Sequence, residues 1–139
     1  IIMGPGSLYT SILPNLLIKD ISNAILEADA YRIFVINVMT QPGETEGYSA
    51  SDHLKALISH TDPRIVDACF INTQPISKAI LDLYKATNSY PVEIDWNKIR
   101  EQGYEVVGAE VLKLDSQARH DPEKLAKGLI DQYFEVLKR

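Results

Sequence analysis

The sequence predicts a Rossmann-like α/β fold, a mostly parallel sheet with helices on both faces, and three observations predict it. Apolar runs of strand length alternate with segments of helical period along the whole chain. One run, "YRIFVINV", is apolar throughout apart from Arg32 and Asn37, as a central parallel strand buried on both sides should be. Capping and glycine signals fall at the joints between the two kinds of segment.

Taken in order, the strands are expected over Ile1–Met3, Tyr31–Val38, Ala68–Asn72, Pro91–Ile94 and Tyr104–Val111, all five in one sheet. The helical patterns cover Asn15–Glu27, Ala50–Ser59, Ser77–Ala86, Asn97–Gln102 and Pro122–Lys138. Each βα joint carries a physical reason. Ser49-Ala50-Ser51-Asp52 fits an S-x-x-D capping box, and Asp121-Pro122 pairs a capping carboxylate with proline at the first helical position. Gly103 stops "WNKIREQ" before the last strand. In an open α/β sheet a ligand sits outside the carboxyl ends of the strands, so the loops after Met3, Val38 and Asn72 are the ones to watch.

Composition narrows the class further. The chain has 139 residues, 45% hydrophobic and 24% charged, enough for one domain over 1–139 with a real core. Its formal charge is −5, and no Lys/Arg run interleaves with aromatics as a nucleic-acid surface would require. No apolar run reaches the ~20 residues of a membrane span. Cys69, the lone cysteine, lies in the apolar run "VDACFIN", where a buried thiol packs as a small hydrophobe, and its single copy excludes an internal disulfide. Because the chain opens on Ile1, with "IIM" reading as a strand already in progress, it is expected to be a portion of a longer protein.

Two loops carry the chemistry. In "IIMGPGSLYTSILPN" a strand runs into Gly4, Gly6 and Ser7 and then into a helix, a way of exposing backbone N–H groups to an anion. The same residues also build an ordinary strand-to-helix turn, with Ser7, Thr10 or Ser11 as the cap. Tyr9 follows Leu8 where a G-x-G-x-x-G fingerprint would need its third glycine, so this is no dinucleotide motif. The second loop, Met39 to Tyr48, exceeds the ~2–6 residues usual for such joins and is either a binding loop or a solvated surface loop. Asp52 and His53 suggest an acid/base pair, but adjacent helical residues point apart and Asp52 already serves as a cap. His60 fits a partner for the helix C-terminus. No His/Cys/Asp/Glu set has metal-ligand spacing, and no Ser–His–Asp or Cys–His arrangement is present, so no metal and no catalytic residue are assigned.

"GPGSLYTSILPNLL", "NVMTQPGETEGYSASDH" and "RHDPEKLA", with a looser "LYKATNSYPVEID", resemble the C-terminal half of the gluconeogenesis-factor (YvcK-like) proteins. These are relatives of the 2-phospho-L-lactate transferases in the CofD-like superfamily. That family's first strand leads into a glycine-rich phosphate loop and an aspartate- and glycine-rich stretch, neither of which is in this sequence. The resemblance implies a Rossmann-like, cytoplasmic bacterial protein needed for cell shape and for growth on gluconeogenic carbon sources. The ligand it implies is a UDP-sugar, UDP-N-acetylglucosamine, bound by a regulator rather than turned over by an enzyme; a homo-oligomer is left open. Carried over residue by residue, Gly4, Gly6, Ser7 and Thr10 would line the phosphate side, with Asn37, Thr40, Gln41 and Glu44 approaching from the second loop. Tyr84 would stack on a base or sugar, and Arg119 would hold a diphosphate bidentately. The alternative is a transferase that moves a phospholactyl-type group from a nucleotide-activated donor.

Overall fold

The computed structural model describes residues 1–114 and 117–138. Four parallel strands form the sheet in the order β1 (Ile2–Met3), β2 (Ile33–Val35), β3 (Ala68–Asn72) and β4 (Glu105–Ala109). Register runs Met3 to Phe34, Val35 to Phe70, and Phe70 to Val107. Every step goes the same way across the sheet, so right-handed crossovers place the connecting helices on one face. These are α1 (Leu13–Leu16), α2 (Lys19–Glu27), α3 (Ala50–His60) and α5 (Trp96–Glu101), while α4 (Lys78–Lys85) packs through Ile80 against Met39 and Ala118 instead. The chain returns over the opposite face as α6 (Pro122–Leu137).

The alternation of side chains along the strands sorts the core into two layers. Phe34, Ile36, Cys69 and Ile71 pack with Leu13, Leu16, Leu54, Leu57 and Ile99 of the first helix layer. Ile33, Val35 and Phe70 pack with Leu125 and Leu129 of α6. Helices thus cover both faces. At the entrance to β2 and β3, Arg32 and Asp67 form an ion pair at 2.9 Å, which accounts for the one charge in the "YRIFVINV" run. Burial pushes the Cys69 thiol up to about 12, the state of a packing residue rather than a nucleophile.

Three expectations change. Pro91–Ile94 is not a sheet strand: Pro91 and Glu93 make isolated bridges with Met39 and Ser49, and the segment runs beside the second loop. Proline lacks the N–H that a ladder position needs, so this segment is kept at the margin. The fifth and sixth strands are instead an antiparallel hairpin of β5 (Leu112–Leu114) and β6 (Ala118–His120), which the sequence reading passed over because three residues are too few for a period. Finally, the helix expected over Asn15–Glu27 is broken. It starts as a π turn at Leu8–Ile12, continues as α1, and restarts after Ile18, whose backbone is extended; the Ser22 hydroxyl satisfies the Leu16 carbonyl left at the break.

Candidate functional site

The loops that follow β1 and β2 leave the carboxyl ends of adjacent parallel strands and are bonded to each other. In the first, Gly4 sits at φ +83°, where a Cβ would also come within 3.1 Å of Ile12 Cδ1 and of the Val35 carbonyl oxygen. Only glycine fits this turn. Ser7 then caps the first helical turn, its Oγ accepting from the Thr10 backbone N–H at 3.1 Å and from Thr10 Oγ1 at 2.6 Å. The capping reading of this loop is therefore met at Ser7, and the glycines carry the backbone past the mouth of the sheet.

The second loop folds into a turn that exposes Pro42, Gly43, Glu46 and Gly47 and is pinned from within at Thr45. Thr45 is fully buried and its Oγ1 accepts from the Gln41 N–H, while the Gln41 carbonyl accepts from the N–H groups of Glu44 and Thr45. Two side chains tie this turn to the first loop. Asn37 Oδ1 accepts from Gly6 N–H at 3.2 Å, and Glu44 Oε2 accepts from Ser7 Oγ at 2.5 Å. Asn37 Nδ2 in turn lies 3.5 Å from Gln41 Oε1. Seven of the ten residues singled out in the sequence, Gly4, Gly6, Ser7, Thr10, Asn37, Gln41 and Glu44, thus share one locus.

The other three stand apart. Thr40 is buried and faces the Ser89–Tyr90 backbone: its Oγ1 accepts from Tyr90 N–H, and its carbonyl accepts from Ser89 Oγ. Tyr84 is half-buried in a small cluster with Met39, Ile80 and Ala118, which joins α4 and β6 to the second loop. Arg119 is exposed on β6, opposite Lys113 in the hairpin register. Side chains alternate across β6, so Arg119 and the cluster residue Ala118 point to opposite faces of the hairpin.

Residues missed in the sequence lie next to this locus. A crevice of about 250 Å³ opens at the ends of β2 and β3, lined by Asn37, Val38, Asn72, Gln74, Pro91 and Val92 among others. Asn72 Oδ1 accepts from Gln74 N–H and Val111 N–H, and Gln74 Oε1 accepts from Leu112 N–H, which pins the hairpin to the mouth of the sheet. A signal was present: Ile-Asn recurs at the carboxyl side of both central strands, as Ile36-Asn37 just past β2 and Ile71-Asn72 at the end of β3.

The helix start behind the second loop is closed to ligands. Ser49 and Asp52 form the expected capping box. Asp95 also accepts from Ser51 N–H at 2.9 Å and Ser51 Oγ at 2.5 Å. Burial opposes ionisation of Asp95, but the bonds from Ser51, Ser49 and Lys98 outweigh it and hold the carboxyl below its usual range. His53 is 1% exposed, with Nδ1 against the Ser49 carbonyl, and burial pushes its pKa down. Its role is that of a neutral core residue. Among the described residues no group of three or more His, Cys, Asp or Glu side chains could hold a metal ion, and no helix is long and apolar enough to cross a membrane.

Comparison with known proteins bears on this geometry. A family model described as 2-phospho-L-lactate transferase CofD matches residues 1–112. The chain is 41% identical over 132 residues to the gluconeogenesis factor of Bacillus subtilis, covering 94% of this chain and 42% of that protein. It is 40% identical to the gluconeogenesis factor of Halalkalibacterium halodurans, with 94% and 41% covered. A crystal structure of a Bacillus halodurans protein superposes with a TM-score of 0.90 at 39% identity, covering 94% of this chain and 42% of that one. The chain spans between 29% and 42% of the length of such relatives.

Proposed function

Since the chain belongs to the CofD family and its relatives include gluconeogenesis factors, we propose that it supplies one wall of a nucleotide-sugar site in a regulatory protein of that kind. The ligand is a UDP-sugar, UDP-N-acetylglucosamine, and the setting is the bacterial cytoplasm, with effects on cell shape and on growth on gluconeogenic carbon sources. The observation that carries this reading is the junction of the two loops, Gly6 to Asn37 and Ser7 to Glu44, at the carboxyl ends of β1 and β2. Backbone N–H groups and hydroxyls gathered there suit a diphosphate. The adjoining crevice, at about 250 Å³, falls below the volume of a whole drug-sized ligand and suits a single ring such as a pyrimidine base. Arg119, on a hairpin held to the same mouth of the sheet through Asn72 and Gln74, would clamp the phosphates.

A second reading, a transferase acting on a nucleotide-activated phospholactyl-type donor, is favoured by the description of the family model. A thermal-shift series on the complete protein that contains this chain separates the two. A ligand at a hundredfold its Kd adds about 2.7 kcal/mol to the stability of the folded state. UDP-N-acetylglucosamine is expected to raise Tm by several degrees, with GTP and phospholactate giving much less. The reverse ranking would support the transferase.

A further inference from the structure

We propose that Glu44 is a built-in competitor for the anion of the nucleotide sugar. Its carboxylate takes the Ser7 hydroxyl proton that a phosphate would need, and the ligand binds by expelling it. This rests on the nucleotide-sugar reading above and adds a regulatory element to the same site.

The argument is one of donors and acceptors. A serine hydroxyl has one proton and two lone pairs. At Ser7 the lone pairs accept from Thr10 N–H and Thr10 Oγ1, and the proton goes to Glu44 Oε2 at 2.5 Å. The hydroxyl is saturated by the protein itself. Gly6 N–H is likewise given to Asn37 Oδ1. A phosphate oxygen can reach Ser7 Oγ–H only where the carboxylate now sits, and two anions at one hydroxyl repel strongly in a half-buried site.

The turn is built so that Glu44 can leave without unfolding. Thr45, fully buried and bonded to Gln41, anchors the turn beside it. Gly43 and Gly47 stand at positive φ with open space around them on either side of Glu44-Thr45-Glu46. Rotation of one glutamate side chain frees the hydroxyl. Ligand binding then alters the exposed surface of the second loop, which gives a ligand sensor a means of reporting occupancy.

The test is calorimetric titration of the complete protein that contains this chain, as wild type, Glu44→Gln and Ser7→Ala, with UDP-N-acetylglucosamine, UDP and uridine. Glutamine keeps the shape and removes the charge. Glu44→Gln is expected to bind UDP and UDP-N-acetylglucosamine about three- to ten-fold more tightly than wild type, with uridine unchanged, because only the phosphates compete. Ser7→Ala should move the other way, weakening both phosphorylated ligands. If wild type binds and Glu44→Gln binds equally or less well, Glu44 is a bystander or a direct ligand contact and the competitor role falls alone. If neither protein binds UDP or UDP-N-acetylglucosamine while both melt normally, the nucleotide-sugar reading falls, and this proposal with it.

Discussion

Phe70→Ala is expected to destabilise the fold by about 3–5 kcal/mol, measured by urea unfolding of the wild-type and variant chains. Phe70 is fully buried at the middle of β3, paired with Val35 on one side and Val107 on the other. Its ring fills the space beneath α6, the only helix among the described residues that packs on this face. The fit is tight: a Cβ built at Gly128 would lie 2.8 Å from Phe70 Cζ. The glycine in α6 is therefore a place made for the ring, kept despite the ~1 kcal/mol that glycine costs within a helix. Gly128→Ala alone should destabilise by overpacking, about 1–3 kcal/mol, yet add much less on top of Phe70→Ala, since the alanine then has room. A loss below 1 kcal/mol in Phe70→Ala would mean that α6 does not seat on the sheet as described.

Arg119→Ala is expected to weaken binding of UDP-N-acetylglucosamine by about ten-fold or more. Charge-assisted hydrogen bonds are worth about 1.5–3 kcal/mol, and a bidentate guanidinium adds geometry that lysine lacks. Arg119→Lys should recover the loss only in part. Arg119 is exposed on β6 rather than packed in the core. The stability of the chain should then stay within about 0.5 kcal/mol of wild type. Calorimetry for affinity and urea unfolding for stability are the two measurements. Unchanged affinity would remove Arg119 from the site, and an equal loss of stability would make its role structural.

Much of the fold was legible because its signals are local. The capping box at Ser49 and Asp52 and the Asp121-Pro122 helix start appear as read, with Asp121 Oδ1 accepting from Glu123 N–H and Lys124 N–H. The buried run of β2 was readable for the same reason: period and composition act within one segment. What failed depends on tertiary neighbours. Pro91–Ile94 has strand-like composition, but its partners are the second loop and the start of α3 rather than the sheet. The hairpin of β5 and β6 is held by Asn72 and Gln74, residues almost forty positions away, a pairing with no local trace.

The site divides along the same line. Loop chemistry marked Gly6, Ser7 and Glu44, resemblance added Asn37, and the fold joins them because the strands that carry them are adjacent and parallel. Tyr84 was singled out by resemblance and packs where the second loop, α4 and the hairpin meet, while Thr40, a polar group of the second loop, bonds to the Ser89–Tyr90 segment. Composition cannot tell a threonine that greets a ligand from one that pins a neighbouring segment. Both need a hydroxyl at a loop.

The central claim is that the two loops belong to a single ligand site, and amide chemical shifts of these residues in the complete protein during titration with UDP-N-acetylglucosamine test it most directly. The account predicts that Gly6, Ser7 and Thr10 from the first loop shift together with Asn37, Gln41 and Glu44 from the second, all along one binding curve with one Kd. Shifts confined to one loop, two different curves, or no change at either loop in the presence of saturating ligand would contradict it.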